Sequence, residues 1–289
     1  MIVSASYRSD IPAFYGDWFR TRLAEGYALV ANPYSGADCR VALDPAAVDG
    51  FVFWSRNPAP FRSVLDQLAG QGRPFVLQFT ITGYPRALES AVPASETAVA
   101  LLRDLSGRFG RRSLVWRYDP ILISDLTLEA WHAANFDKLA DALAGSVDEV
   151  VLSFAQIYAK TGRNLAAAAK RHGFAWRDPE DEQKRALIAR LAERAAEAGM
   201  QATVCAQPHL LAGVARPARC IDAARLSDIA GRLMAARTKG NRKACACHES
   251  RDIGAYDSCP QGCAYCYAVR DSAKAKTRLK VHDPAAERL

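Results

Sequence analysis

Short apolar runs alternate with helical patterns along most of this chain, and this alternation limits the possible folds more than any other feature. The runs lie at 2–6, 27–31, 51–54, 75–81, 113–117, 149–153 and 201–205, each bounded by Gly, Pro or charged residues, as strands are. Helical patterns lie between them at 13–26, 61–72, 95–110, 127–146 and 178–199, and several begin at Ser, Thr or Asp and stop at Gly. This order predicts an α/β fold with a parallel sheet, built as a full or partial (β/α) TIM-like barrel.

The length of the chain fits one large domain with an appendage. The chain has 289 residues, of which 50% are hydrophobic, so that one barrel-sized core accounts for most of it. We therefore predict a barrel-like domain at 1–240 and a cysteine-rich segment at 241–289 that packs on the barrel mouth.

Charge and hydropathy indicate a cytoplasmic protein. The formal net charge is +7, but Lys and Arg are scattered along amphipathic stretches, where they suit solvated helix faces. No leader that is first basic and then apolar opens the sequence, and no apolar run is long enough to cross a bilayer. We expect a cytoplasmic location without membrane contact.

Polar residues follow the predicted strands at the ends that would form the rim of a barrel. Arg8 and Asp10 follow the first run, and Arg117 and Asp119 follow the fifth, in the same Arg-x-Asp arrangement. The carboxyl ends of barrel strands carry active sites, and such pairs suit holding a carboxylate, an amine or a ribose. These four residues are our candidate catalytic residues, although either Asp could instead cap a helix or pair with a neighbouring arginine.

Three cysteines near the end of the chain form the most specific chemical motif. Cys259, Cys263 and Cys266 are spaced C-x3-C-x2-C, and Tyr265 precedes the last of them. We call these cysteines the three-cysteine group. Three thiolates hold a cuboidal iron–sulfur cluster and leave one iron open to a small ligand, whereas zinc would be under-ligated. We predict a 4Fe-4S cluster here, with Tyr265 packed on it, on a bound adenine or in the apolar core.

Four further cysteines, Cys205, Cys220, Cys245 and Cys247, make up what we call the four-cysteine group. Cytosolic thiols stay reduced, so cysteines in such a protein indicate metal binding or catalysis more often than disulfides. Four thiolates suit a fully ligated second 4Fe-4S cluster or a tetrahedral zinc site, and we favour the cluster over zinc or mere buried thiols. Cys39 stands alone and is interpreted as an ordinary thiol.

The three-cysteine motif resembles that of the radical S-adenosylmethionine (SAM) superfamily. That resemblance implies that the open iron binds SAM, that reductive cleavage gives a 5′-deoxyadenosyl radical, and that a ferredoxin or flavodoxin donates the electron. The chain also resembles DUF1848, a bacterial family without an assigned reaction. The matching segments are SASYRSDIPAFY (4–15), VFWSRNPAP (52–60), FTITGY (79–84), VWRYDPI (115–121) and CHESRDIGAYDSCPQGCAYCYA (247–268).

We therefore expect a radical SAM-like enzyme acting on an unknown substrate. The alternative is a non-radical iron–sulfur or zinc protein that binds nucleic acid or a partner. The tail beyond residue 270 is basic but carries no interleaved aromatic residues, which makes nucleic acid the less favoured partner. A third possibility is an enzyme that uses the open iron as a Lewis acid.

Overall fold

A computed structural model describes residues 1–32, 35–242 and 244–289. Its strands are β1 (Ile2–Ala5), β2 (Tyr27–Ala31), β3 (Asp38–Ala42), β4 (Gly50–Ser55), β5 (Phe75–Thr80), β6 (Leu114–Ile121), β7 (Ile123–Ser124), β8 (Glu149–Phe154), β9 (Trp176–Arg177), β10 (Gln201–Val204), β11 (Arg216–Pro217) and β12 (Ser250–Asp252). Its α-helices are α1 (Ile11–Phe14), α2 (Gly16–Glu25), α3 (Arg62–Gly70), α4 (Ser95–Phe109), α5 (Glu129–Leu143), α6 (Ala159–His172), α7 (Asp181–Glu197), α8 (Ala223–Ala230) and α9 (Ser272–Lys280). Short 3₁₀ turns lie at Ala59–Phe61, Arg111–Ser113 and Pro208–Leu210.

One parallel sheet forms the centre of the molecule. Its strand order is β11-β10-β8-β6-β5-β4-β1-β12, which follows the chain except that β12 lies beside β1. Ile2 of β1 is opposite Gly50 on one side and Ser250 on the other. The predicted α/β fold with a parallel sheet is confirmed. In the described part of the chain β11 and β12 stand at opposite ends of the strand order, and no closed barrel is found.

The second predicted strand forms but lies outside the main sheet. β2 pairs antiparallel with β3 in a separate two-stranded sheet, with Tyr27 opposite Ala42. Residues 38–40 of β3 are exposed. Strands of a parallel sheet are buried on both faces, so a hairpin with an exposed strand belongs at the surface.

The main sheet has two apolar faces. One face carries Phe51, Phe53 and Leu77 among its buried side chains and belongs to the large core shared with the helices. The other face carries a separate cluster of buried side chains from neighbouring strands, formed by Ile2, Val52, Val76, Val115 and Val151. Burial on both faces explains why these strands are almost uninterrupted apolar runs.

The cysteine-rich segment is joined to the fold at several points. β12 adds a strand to the main sheet, and the segment beyond α9 lies against α2. There the Trp18 indole Nε1 donates to the Ala286 carbonyl at 2.9 Å, and Arg22 donates to the Ala285 carbonyl at 3.0 Å. Within the described ranges no helix has the length and apolar character needed to cross a membrane.

His132, buried in α5, makes the fold sensitive to acid. Its Nε2 contacts the Leu122 carbonyl at 3.0 Å and its Nδ1 contacts the Tyr118 hydroxyl at 2.9 Å, which suits a neutral ring. Burial lowers the pKa of His132 from 6.5 to about 4. The unfolded chain therefore binds a proton at a pH where the folded chain does not, and stability is lost as the pH falls from the unfolded value toward the folded one.

We expect the His132 contribution to fall by about 3 kcal/mol across that window. The measurement is the free energy of unfolding in urea at pH 7 and pH 4.5, for the wild type, His132→Gln and His172→Gln. His172 is exposed at the end of α6 and serves as the control. A pH dependence that is the same in all three proteins would show that His132 does not titrate on unfolding.

Candidate functional site

A cavity of about 590 Å³ lies at the carboxyl ends of the sheet strands, and we call it the central cavity. Its lining includes all four predicted strand-end residues, Tyr265 and both cysteine groups: Arg8, Asp10, Arg117, Asp119, Tyr265, Cys205, Cys220, Cys245, Cys247, Cys259, Cys263 and Cys266. A depression of about 610 Å³ beside α3 and α4 is lined by Arg62, Leu101 and Asp104 among others, and by none of the cysteines. The chemistry-bearing residues therefore single out the central cavity.

The loop that carries the three-cysteine group is held against the segment after β5. The Ala264 N–H donates to the Leu88 carbonyl at 2.9 Å, and the Ala91 N–H donates to the Gln261 carbonyl at 3.2 Å. Gly262 adopts φ +72°, and a Cβ on it would lie 2.2 Å from Ser90 Oγ. Only glycine fits this point of the loop, because both the conformation and the space exclude a side chain.

The three-cysteine thiols are half-buried beside the central cavity. Burial raises the pKa of Cys263 to about 12 and also raises the pKa of Cys266. Burial, Asp10 and the charges of Cys266 and Cys263 together raise the pKa of Cys259. Without metal all three are protonated at neutral pH, so that metal binding would release protons.

Asp10 organises this loop through four hydrogen bonds. Its Oδ1 accepts from the Ala13 N–H at 3.0 Å and from Ser55 Oγ at 2.7 Å, and so caps α1. Its Oδ2 accepts from the Arg56 N–H at 2.9 Å and from Gln261 Nε2 at 3.0 Å. Both carboxylate oxygens are thus occupied, and Asp10 ties the cysteine loop to two strand ends.

A second buried carboxylate, Glu89, was not found from the sequence. Its Oε1 accepts from Arg56 at 2.6 Å and from Thr82 at 2.7 Å, and the Tyr265 hydroxyl also donates to it. Arg56 Nη2 lies 2.6 Å from the Tyr265 hydroxyl. Arg56 directly follows β4, so its position at a strand end was a signal for Arg56 itself. Glu89 lies in a loop, where no sequence pattern points to it.

Arg8 pairs with a residue that the sequence also did not indicate. Its Nε donates to Asp252 Oδ1 at 2.8 Å, and Asp252 further accepts from Ser4 Oγ at 2.9 Å and from Ser6 Oγ at 2.8 Å. Asp252 ends β12, so its place beside Arg8 depends on strand pairing. The two Arg-x-Asp segments therefore differ, because Arg8 binds Asp252 while Asp10 caps a helix.

Arg117 and Asp119 do pair with each other. Arg117 Nε donates to Asp119 Oδ2 at 3.0 Å, and Ser153 Oγ donates to the other carboxylate oxygen. Arg117 Nη1 also contacts Cys220 Sγ at 2.9 Å and Gln78 Oε1 at 3.1 Å. Burial alone lowers the pKa of Arg117, but Asp119 and Cys220 outweigh it and raise that pKa well above its usual value. This arginine is a fixed cation beside the four-cysteine group.

The thiols of the four-cysteine group form a row in which each thiol contacts the next. Cys205 Sγ and Cys220 Sγ lie 3.6 Å apart, Cys220 contacts Cys247, and Cys247 contacts Cys245. The Cys247 contact lowers the pKa of Cys245 to about 6. Within the described ranges, no three or more His, Cys, Asp and Glu side chains are arranged to hold a single metal ion.

The donor set consists of thiols, which suit either iron–sulfur clusters or a tetrahedral zinc site. A cluster bonds each thiolate to a different iron, so its ligands need not converge on one point, whereas a zinc site needs four ligands around one centre. All eight cysteines lie in the described residues and are free thiols, and seven of them line the central cavity. Cys39 is exposed and stands apart from this set.

Comparison with known proteins gives one finding. A family model described as "Domain of unknown function (DUF1848)" matches residues 2–268. Neither the curated proteins nor the solved structures gave a match.

Proposed function

The chain belongs to the DUF1848 family over residues 2–268, and from its two cysteine groups we propose that it is an iron–sulfur enzyme of the radical SAM type. The observation that carries the proposal is the central cavity, because both cysteine groups and charged strand-end residues line one and the same cavity. A purely structural metal site would not need such a space.

The three-cysteine group would hold the catalytic 4Fe-4S cluster, and the four-cysteine group would hold a second one. Such a catalytic cluster, when bound, offers an open iron to SAM and supplies the electron that breaks a carbon–sulfur bond in SAM. A ferredoxin or flavodoxin would supply that electron to the enzyme. Because this chemistry needs reduced thiols, we place the protein in the cytoplasm.

Two arginines prepare the cavity for the charge of the thiolates. Burial raises the pKa of Cys263, and the cation Arg56 opposes this shift and so stabilises the thiolate form. Arg117 does the same for Cys220 through its direct contact with Sγ. Each guanidinium is held in place by a carboxylate, Glu89 for Arg56 and Asp119 for Arg117.

The strand-end residues divide into positioning and binding roles. Asp10 positions the cysteine loop through Gln261, as its occupied oxygens indicate. Arg8, Arg117 and Asp119 face the cavity and would orient SAM or the substrate by charge-assisted hydrogen bonds. We propose that the main sheet forms an incomplete barrel, which brings these residues together. The apolar cluster of β1, β4, β5, β6 and β8 on one face of the sheet supports this proposal.

The test is made on protein purified and reconstituted without oxygen and reduced with dithionite. SAM is added, and both the electron paramagnetic resonance signal and 5′-deoxyadenosine formation are followed, with Cys263→Ala and Cys39→Ala as variants. We expect a SAM-shifted signal and 5′-deoxyadenosine in the wild type and in Cys39→Ala, and neither in Cys263→Ala. An electron paramagnetic resonance signal that does not change when SAM is added, with no 5′-deoxyadenosine above that of Cys263→Ala, would refute the proposal. The protein would then be a non-radical metalloprotein that binds nucleic acid or a partner.

A further inference from the structure

Three tyrosines of the central cavity are unusually open to solvent. Tyr158, Tyr256 and Tyr267, which we call the tyrosine rim, are 45%, 39% and 43% exposed and all line the cavity. Aromatic side chains left exposed together around a concave site are typical of ligand binding, since each ring offers a rigid flat surface at low entropic cost. The tyrosine rim therefore suits a planar ligand.

A cation stands beside this rim, and among the residues that the structure describes its side chain has only neutral hydrogen-bond partners. Arg242 Nη1 donates to Gln156 Oε1 at 2.9 Å and lies 3.5 Å from the Tyr158 hydroxyl. The other arginines that line the cavity are each paired with a carboxylate, Arg8 with Asp252, Arg56 with Glu89 and Arg117 with Asp119. Lys160 adds a second positive charge, with its Nζ 5.4 Å from the centre of the Tyr256 ring. The rim thus combines flat aromatic surfaces with positive charge.

We propose that the tyrosine rim binds a nucleotide, with its base against a tyrosine ring and its phosphate at Arg242. Stacking aromatic side chains with arginine and lysine beside them is how proteins hold unpaired nucleotides. More than one cation at the rim suits a phosphate better than a single carboxylate, and the arginine fork matches phosphate oxygens. The same chemistry recognises a free nucleotide and a nucleotide within a single strand.

This inference rests on the proposed function, since it assigns the substrate class of the same cavity, but the two are tested independently. Binding is measured by calorimetry on the full chain, purified without oxygen, with guanosine 5′-monophosphate (GMP), guanosine and inorganic phosphate as probes. GMP binding requires neither reductant nor SAM. A failed SAM assay therefore leaves this inference standing, and a failed GMP measurement leaves the radical proposal standing.

We expect GMP to bind more tightly than guanosine or phosphate, and Tyr256→Leu and Arg242→Gln each to weaken it by about fivefold or more. Arg237→Gln is the control, because Arg237 is an exposed arginine of the same segment that pairs with Glu249. Unchanged GMP affinity in both rim variants would overturn the inference, as would GMP affinity no higher than that of phosphate. In either of these two outcomes, the positive charge of Arg242 serves only to balance the negative charge of the neighbouring thiolates.

Two further measurements test whether the rim binds the adenosine of SAM, a free nucleotide or a nucleotide within a nucleic acid. Displacement of GMP by saturating SAM would overturn the inference, because the rim would then belong to the adenosine of SAM. A single-stranded oligonucleotide that binds at least about tenfold more tightly than GMP, and loses affinity steeply with salt, would place the nucleotide within a nucleic acid. Equal affinity of GMP and the oligonucleotide would identify a free nucleotide.

Discussion

Replacing Cys263 by alanine is expected to remove one of two clusters and leave the other in place. A 4Fe-4S cluster contains about four iron atoms, so the reconstituted wild type should bind about eight per chain and Cys263→Ala about four. Cys220→Ala should also retain about four, because the two cysteine groups are held by separate segments. Iron and acid-labile sulfide are assayed on each protein, and Cys39→Ala, at an exposed thiol, should match the wild type.

The two variants separate the two halves of the metal proposal. Iron content of Cys220→Ala equal to that of the wild type would show that no cluster depends on Cys220, and zinc bound to the four-cysteine group would support a structural metal site there. Full iron content in Cys263→Ala would refute the three-cysteine site. Absorbance of the remaining cluster in each variant shows which group is still occupied.

Replacing Glu89 by leucine is expected to cost about 3–5 kcal/mol of unfolding free energy, because it leaves the buried Arg56 guanidinium without its anion. Glu89 is 2% exposed and its bond to Arg56 is 2.6 Å long. The measurement is urea unfolding, with Glu96→Leu as a matched control. Glu96 also forms an ion pair, with Lys138, but lies in solvent, so its loss should matter far less.

The double variant Glu89→Leu with Arg56→Met tests the cause of that loss. If the cost comes from an unpaired buried charge, removing the charge should restore part of the stability. A double variant that is as unstable as the sum of the two single variants would mean that the pair does not interact. A Glu89→Leu variant as stable as Glu96→Leu would show that Arg56 reaches water or another anion.

The sequence predicted those strands whose two faces are both apolar, and it missed those that depend on pairing alone. The runs that became β4, β5 and β8 were found because burial on both faces produces continuous apolar stretches. β12 has the sequence SRD and β11 has only Arg216 and Pro217, so neither carries an apolar signal. Their place in the sheet is decided by tertiary context.

The same distinction between sequence signals and tertiary context explains which site residues the sequence indicated and which it missed. Spacing alone identified the cysteines, and the ends of predicted strands identified Arg117 and Asp119, which the structure brings together. Asp252 and Glu89 were missed because the first lies on an unpredicted strand and the second lies in a loop. Asp10 lies at the predicted strand end and caps a helix, which was the alternative that the sequence left open for it, since helix capping and ligand binding use the same carboxylate oxygens.

The pairing of β12 with β1 also determines when this protein can finish folding on the ribosome. Residue 2 emerges well before residue 250, yet the two lie side by side in the sheet. Until residue 252 has left the exit tunnel, β1 is an uncovered edge and Arg8 lacks its carboxylate partner, so the nascent chain exposes an unpaired strand that favours aggregation. The cysteines at 259–266 emerge later still. In our proposal, cluster insertion therefore comes after β12 has emerged, and a chain stalled before this point presents an incomplete sheet for chaperones to protect.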